Sequence, residues 1–458
     1  MIKWLLKQRP LRHLEILPCI LCVILGVGTV FSLCFVYANG AATLETASQG
    51  EQAAMSVEQE PGARFYLAEV PTVLVTADGV EFAGDTTIDA ASYNLIGRPA
   101  GRVTRWLADV WQNETLAEEI YSPMTGLWVK KRPENQRIEL TLRDELQTGL
   151  YECFQELGKT GTAYVYNYET GSVLGCVSTP GCSSQDPIEN LPEGALLNKN
   201  LYTVPPGSTM KIQTLLLLAE QTDLANLSYT CSGAVTFDDG TTIDCHHAHG
   251  EVTCEEAIGL SCNSFFAQAV VEHLDPKKVA ERLREMGWNV NETGRTMVAV
   301  SSISINDSTI ELNETWDFTS IWSMLGETEV TVSPVHLTTL AASYVIDSPA
   351  MPRFRLDEEV MYDTRFEPGS EAKKMWRMGF EEWMQPRFDE SLSLGKTGLY
   401  EFDDGTVTAT FLGVHEESST AFFISVEDDE DGHARDQLVN RTVQLLNEQM
   451  DQKEEQQR

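Results

Sequence analysis

Positive charge is scarce in this 458-residue chain: 33 Lys and Arg stand against 69 Asp and Glu, a formal net charge of −36. Nucleic acid and anionic lipid surfaces are recognised by clustered basic residues, so this balance argues against both as partners. It fits solvation in a salty or crowded exterior. Internal repeats and long low-complexity tracts are also missing, which sets aside solenoids and a largely disordered chain. Hydrophobic residues at 42% and aromatics at 9% are ordinary globular values, and the length suits two or three folded units. Histidines suited to activating a nucleophile are lacking too. His13, His273, His336, His415 and His433 read as surface or packing residues.

The amino end holds a long apolar run, Leu14 to Ala38, preceded by Lys3, Lys7, Arg9 and Arg12. Its length suffices for a bilayer-spanning helix, and the basic flank places the amino terminus in the cytoplasm. Cleavage after Val36-Tyr37-Ala38 is the rival reading, but the apolar region is long for a signal peptide. The expectation is a retained single-pass plasma-membrane anchor over residues 14–38, with 1–13 as a cytoplasmic tail and the remainder extracellular. Residues 39–60, rich in Ala, Thr, Glu, Gln and Ser, read as a stalk. Residues 61–136 form a small membrane-proximal module that includes a helical pattern at Val103 to Ile120. Residues 137–450 form the main domain and 451–458 a polar tail.

Of ten cysteines, Cys19, Cys22 and Cys34 fall in the apolar run. The other seven are Cys153, Cys176, Cys182, Cys231, Cys245, Cys254 and Cys262. In an exterior compartment they are free to form disulfides, and an odd number leaves at least one thiol over. The turn-like Asp238-Asp239-Gly240 favours Cys231 with Cys245 as a pair; the remaining connectivity is open. The string Cys245-His246-His247-Ala248-His249, with Cys231 and Cys254 nearby, also offers ligands that zinc accepts.

In the main domain, Leu140 to Leu157 has helical apolar spacing ending at Gly158. Thr162 to Tyr168 and Ser172 to Ser178 read as a hairpin around Glu169-Thr170-Gly171. Ser391 to Phe402, Thr406 to Val414 and Thr420 to Val426 read as three further strands, followed by a helix over Ala434 to Met450. Strands at both ends of the domain with helices between them predict an α+β fold. One five-stranded antiparallel sheet is completed by the two chain ends, flanked by helices, with a helical subdomain inserted in the middle.

Three short elements carry chemistry. Pro205-Pro206-Gly207-Ser208-Thr209-Met210-Lys211 leads into the apolar Ile212 and Leu215 to Leu218. A helix starting there puts Ser208 in its first turn and Lys211 on the same face, within reach of the hydroxyl. Serine needs a base, and a buried lysine near a second cation can serve as one. Ser261-Cys262-Asn263 opens the helical pattern Ser264 to Leu274; taken alone it is an ordinary cap. Gly395-Lys396-Thr397-Gly398 lies inside a strand, where two glycines signal the close approach of another backbone.

Ser-x-x-Lys, Ser-x-Asn and Lys-Thr-Gly in this order are the set shared by penicillin-binding proteins and class A β-lactamases. The chain resembles the transpeptidase domain of a class B penicillin-binding protein. Asn198 to Lys211, His249-Gly250-Glu251-Val252-Thr253, Leu325-Gly326 with Val332-Ser333-Pro334, and the strands around Val165 and Phe411 are similar as well. The resemblance covers about 137–450 and implies a peptidoglycan D,D-transpeptidase with no cofactor and no metal. By it, Ser208 is the nucleophile, Lys211 its base, Ser261 a proton relay and Lys396 the second amine. Asn263, Thr397, Gly398 and Leu399 bind substrate, and the backbone N–H groups of Ser208 and Leu399 hold the oxyanion. The implied partners are stem peptides and lipid-linked precursors, β-lactams as covalent inhibitors, the membrane, and a glycosyltransferase or other cell-wall synthesis proteins. Leu399 departs from the family, which carries Thr or Ser there. The backbone donor survives that change, whereas a hydroxyl for the substrate carboxylate does not.

A β-lactamase of class A would place a glutamate in a Glu-x-x-Leu-Asn segment; here Thr309-Ile310-Glu311-Leu312-Asn313 has Thr309 at that point. A D,D-carboxypeptidase, with water as acceptor, shares every motif. A non-catalytic scaffold or a β-lactam sensor is the reading of another class, and the intact Ser208, Lys211, Ser261, Asn263 and Lys396 stand against a dead scaffold.

Overall fold

The computed structural model describes residues 63–67, 70–76, 79–82, 86–97, 107, 118–122, 127–131, 136–292, 297–300 and 303–457. The first sheet is formed by β1 (Ala63–Leu67), β2 (Val70–Thr76), β3 (Gly79–Phe82) and, further on, β6 (Gln136–Leu140), in the order β3-β2-β1-β6. Helix α1 (Thr86–Ile96) follows β3. The hairpin β4 (Glu118–Ser122) and β5 (Leu127–Lys131) belongs to a separate compact unit. Part of the expected helical stretch, Val103 to Ile120, is therefore strand: Glu118–Ser122 pairs antiparallel with Leu127–Lys131, an apolar spacing that suits either period.

After β6 come α2 (Asp144–Leu157), β7 (Gly161–Asn167) and β8 (Val173–Thr179). A turn of 3₁₀ helix over Gly207–Met210 runs into α3 (Lys211–Ala219). Next are β9 (Ser228–Cys231), β10 (Ala234–Thr236), β11 (Thr242–Asp244), β12 (Gly250–Thr253), α4 (Cys254–Leu260), α5 (Asn263–His273) and α6 (Pro276–Glu285). Five short strands follow: β13 (Asn289–Val290), β14 (Met297–Val300), β15 (Ile303–Asn306), β16 (Thr309–Ile310) and β17 (Val330–Thr331). Helix α7 (Phe318–Leu325) precedes β17. Then come α8 (Pro334–Ser343), α9 (Gly369–Gly379), β18 (Leu394–Glu401), β19 (Val407–His415), β20 (Thr420–Glu427) and α10 (His433–Gln457).

The central sheet is the expected one: five antiparallel strands in the order β18-β19-β20-β7-β8, built from both ends of the domain. Nearly every residue of β7, β8, β19 and β20 is buried. That burial explains why these segments read as almost continuous apolar runs rather than alternating ones: helices cover both faces. Helices α2 and α10 pack against the sheet, as does α8. β18 is the edge strand, and the turn at Gly207–Met210 lies against it. Beneath that turn, Leu215, Leu216, Leu217 and Leu218 of α3 are all fully buried. Each contributes about 1.5–3 kcal/mol of burial, so the platform under Ser208 is rigid.

The expected plasma-membrane placement is corrected: no helix among the described residues is long and apolar enough to cross a membrane. The longest described helix, α10, has 25 residues but is polar and charged through most of its length. Residues 14–38, on which the anchor expectation rests, lie outside the described residues. The suggested Cys231–Cys245 disulfide is also corrected, because all seven described cysteines are free thiols.

Candidate active site

The Gly207–Met210 turn presents Ser208 at the amino end of α3, and one helical turn later Lys211 emerges beneath it. Lys211 Nζ donates to Ser208 Oγ at 2.9 Å. It also donates to the Ser261 carbonyl at 2.9 Å, to Asn263 Oδ1 at 2.6 Å and to Ser261 Oγ at 3.2 Å. Ser261 can offer both oxygens to one amine because it caps α4 in the left-handed conformation (φ 56°), turning the chain sharply into α5. Asn263 is held in turn, its Nδ2 donating to the Asp244 carbonyl at 3.0 Å. From the opposite wall, Lys396 Nζ of β18 donates to Ser261 Oγ at 3.0 Å and to the Thr397 carbonyl at 2.8 Å. Ser208, Lys211, Ser261, Asn263 and Lys396 thus converge although they lie far apart in sequence.

Both lysines are fully buried. Burial pushes the Lys211 ammonium down to about 8, while the neighbouring Cys245, Cys262 and Glu327 pull the other way. Lys396 is pushed well below its ordinary value by burial and then by the charges of Lys211, Arg435 and Arg387. The pair resists carrying two positive charges, and with Lys211 at about 8, roughly a tenth of it is the neutral amine beside the Ser208 hydroxyl near pH 7.

β18 closes the site by unusually close backbone approach. A Cβ on Gly207 (φ +53°) would lie 2.7 Å from Leu399 N, and one on Gly398 would lie 2.9 Å from Ser208 N. Only glycine allows the strand and the nucleophile turn to come this near. Thr397 and Leu399 are half-buried along this edge. The backbone N–H groups of Ser208 and Leu399 are consequently neighbours, which suits an oxyanion hole.

Three supporting residues escape motif reading. Arg435 of α10 donates from Nη1 to the Gly398 carbonyl at 3.2 Å, and Trp376 of α9 donates from Nε1 to the Gly395 carbonyl at 2.9 Å. Both pin β18 from behind, and nothing local in the sequence announces them. Glu327 follows Leu325-Gly326; burial raises its carboxyl to about 7, against the pull of Lys211. The position of Leu325-Gly326 before Val332-Ser333-Pro334 was the available signal.

Residues 161–345 match the family model of the penicillin binding protein transpeptidase domain. That span holds the first two motifs and stops short of Lys396. The fold is similar to the crystal structure of PBPA from Mycobacterium tuberculosis, with a TM-score of 0.66, 14% identity, and coverage of 84% of this chain and 98% of that one. It is similar to the penicillin G acyl-enzyme complex of penicillin-binding protein A from M. tuberculosis, with a TM-score of 0.65, 16% identity, and coverage of 85% and 99%. The imipenem acyl-enzyme complex gives a TM-score of 0.66 at 15% identity, over 85% and 99%.

Proposed function

We propose, on the premise that the chain belongs to the penicillin-binding transpeptidase family, that it is a D,D-transpeptidase of peptidoglycan which β-lactams inhibit at Ser208. The observation that carries this reading is the single hydrogen-bonded cluster of Ser208, Lys211, Ser261 and Lys396. Neutral Lys211 takes the Ser208 proton as Oγ attacks the carbonyl before the terminal D-alanine of a stem peptide. The oxyanion forms between the Ser208 and Leu399 N–H groups. As the tetrahedral intermediate collapses, the C–N bond breaks and the D-alanine amine leaves with a proton passed through the Ser261 hydroxyl. An amine from a second stem then attacks the ester, gives up a proton by the same route and restores Ser208. Asn263 and Thr397 orient the peptide along β18. A β-lactam runs only the first half, because its leaving nitrogen stays tethered to the acyl group.

Intact-mass measurement after incubation with penicillin G tests this directly. The expected result is one adduct per chain carrying the whole antibiotic, mapping to the Ser208 peptide and lasting through many minutes. No adduct, or rapid release of hydrolysed antibiotic, would sink the transpeptidase reading.

The acylation rate should also depend on pH. With Lys211 at about 8, the neutral base becomes about tenfold scarcer for each unit below that value. The rate should climb from pH 6, bend near pH 8 and level off above it. Lys396, Cys245, Cys262 and Glu327 face the same amine, so the bend belongs to the cluster. A rate that is flat or falling between pH 6 and 8 would exclude a neutral amine as base.

A further inference from the structure

Immediately behind the second motif, three thiols and an imidazole meet. Cys231 at the end of β9, Cys245 just after β11, His249 just before β12 and Cys262 at the cap of α5 place their ligand atoms within 4.8 Å of one another. His249 Nδ1 lies 3.5 Å from Cys231 Sγ and 3.6 Å from Cys245 Sγ, and Cys245 Sγ lies 3.9 Å from Cys262 Sγ. A tetrahedral zinc with Zn–S near 2.3 Å and Zn–N near 2.05 Å has S···S edges of about 3.8 Å and S···N edges of about 3.6 Å. These three separations sit on those edges, and the other three ligand pairs lie within 4.8 Å.

We propose that Cys231, Cys245, His249 and Cys262 bind one zinc ion in a closed Cys₃His site that braces the turn carrying Ser261 and Asn263. This replaces the expectation of a metal-free domain, and the ligand set differs from the one the sequence suggested: Cys262 joins and Cys254 does not. Soft thiolates with one imidazole in four-coordinate array select zinc over the harder divalent ions. Four protein ligands leave no open position, so the role is structural. On binding, three thiols lose their protons to solvent and His249 binds through the Nδ1 lone pair, leaving its proton on Nε2. No electrons change hands.

A second observation says why such a site is needed. Between Ser228 and Thr253 the only buried residues are Cys231, Ile243 and Val252. Two short hairpins, β9 with β12 and β10 with β11, therefore have little core of their own and rest against α5. A segment that cannot bury enough apolar surface is held by a metal or a disulfide in many small folds. Two of the ligands also adjoin the site. Cys262 separates Ser261 from Asn263, both bonded to Lys211, and Cys245 follows Asp244, whose carbonyl holds the Asn263 amide. The zinc would join the hairpins to the wall that positions Lys211.

The test uses the full chain, purified under reducing conditions without chelator. Elemental analysis should find one zinc per chain, retained in Ser208→Ala and in Cys254→Ser, and lost in Cys245→Ser and Cys262→Ser. Retention in Ser208→Ala separates this inference from the acylation reading, since each is measured without the other. If the ligand variants fail to fold, cobalt is the probe. Added to chelator-stripped protein, Co²⁺ should give the visible and near-ultraviolet bands of a tetrahedral thiolate complex in one-to-one amount. Stripping should also lower the melting temperature and slow penicillin G acylation about tenfold or more, the usual reach of groups that orient a site from behind. Absence of zinc and of the cobalt bands, or a disulfide among the three cysteines, overturns the site. Unchanged stability and acylation after stripping overturns the bracing role.

Discussion

Lys211→Met should slow penicillin G acylation by about 10⁴-fold, the upper end of what a positioned general base supplies. The expectation is this large because Lys211 is the group bonded directly to Ser208 Oγ, at 2.9 Å, while Lys396 reaches Ser261. Methionine keeps the unbranched shape and most of the volume, so the buried slot under the turn stays filled. The fold should survive. Holding the ammonium at about 8 rather than its ordinary 10.5 costs the native chain about 3 kcal/mol at neutral pH. Methionine removes that cost but leaves the Ser261 carbonyl and Asn263 Oδ1 without their donor, so the two effects oppose each other. The sign of the pH dependence gives a second readout. The folded chain binds this proton more weakly than the unfolded chain does. Stability therefore rises with pH between about 8 and 10.5, and the part owed to Lys211 should vanish in the variant. Stopped-flow acylation and denaturant titration across that range check both claims. An acylation rate within tenfold of native would move the base role to Lys396.

How much of this was readable beforehand depends on how local each signal is. Ser208 and Lys211 are three residues apart on one turn, so their contact follows from helix geometry. The hairpin of β7 and β8 and the strands β18 to β20 lie within a few residues of their expected bounds, because turn residues and apolar runs punctuate them clearly. Helix α10 instead runs to Gln457, seven residues past its expected end at Met450 and through the segment expected to be a polar tail. The convergence of Lys396 on Ser261 is different: only an edge strand placed beside the nucleophile turn brings them together, and that is a property of the whole sheet. The same limit explains the zinc ligands. Cys254 begins α4 and turns into the core, whereas Cys262, eight positions later, caps α5 next to Cys245. Sequence proximity to the histidine cluster favoured Cys254; packing favours Cys262. Arg435 and Trp376 were invisible because what they bind is a backbone carbonyl of β18, to which no residue type is a clue.

The edge position of β18 also sets what a single methyl group would do there. In Gly398→Ala the new Cβ would stand 2.3 Å from Thr410 Oγ1, 2.6 Å from the Pro206 carbonyl and 2.9 Å from Ser208 N. None of these can step aside cheaply. Thr410 Oγ1 donates to that same Pro206 carbonyl at 2.6 Å, and Thr209 Oγ1 donates to it at 2.7 Å, so the turn is clamped on both sides. The strand is the partner that must yield, since at the sheet edge it pairs with β19 alone, and its shift strains the Arg435 bond to the Gly398 carbonyl. That shift carries the Leu399 N–H away from Ser208 and opens the oxyanion hole. Loss of one such donor costs about 10²–10³-fold, so acylation should fall by that amount. The loss should appear in the rate of the covalent step, with the preceding noncovalent affinity changed far less, because the carbonyl oxygen acquires its charge only in the transition state. The melting temperature should drop by only a few degrees. A variant that loses affinity while keeping its covalent rate would mean that β18 serves to hold the peptide and leaves the oxyanion to other donors.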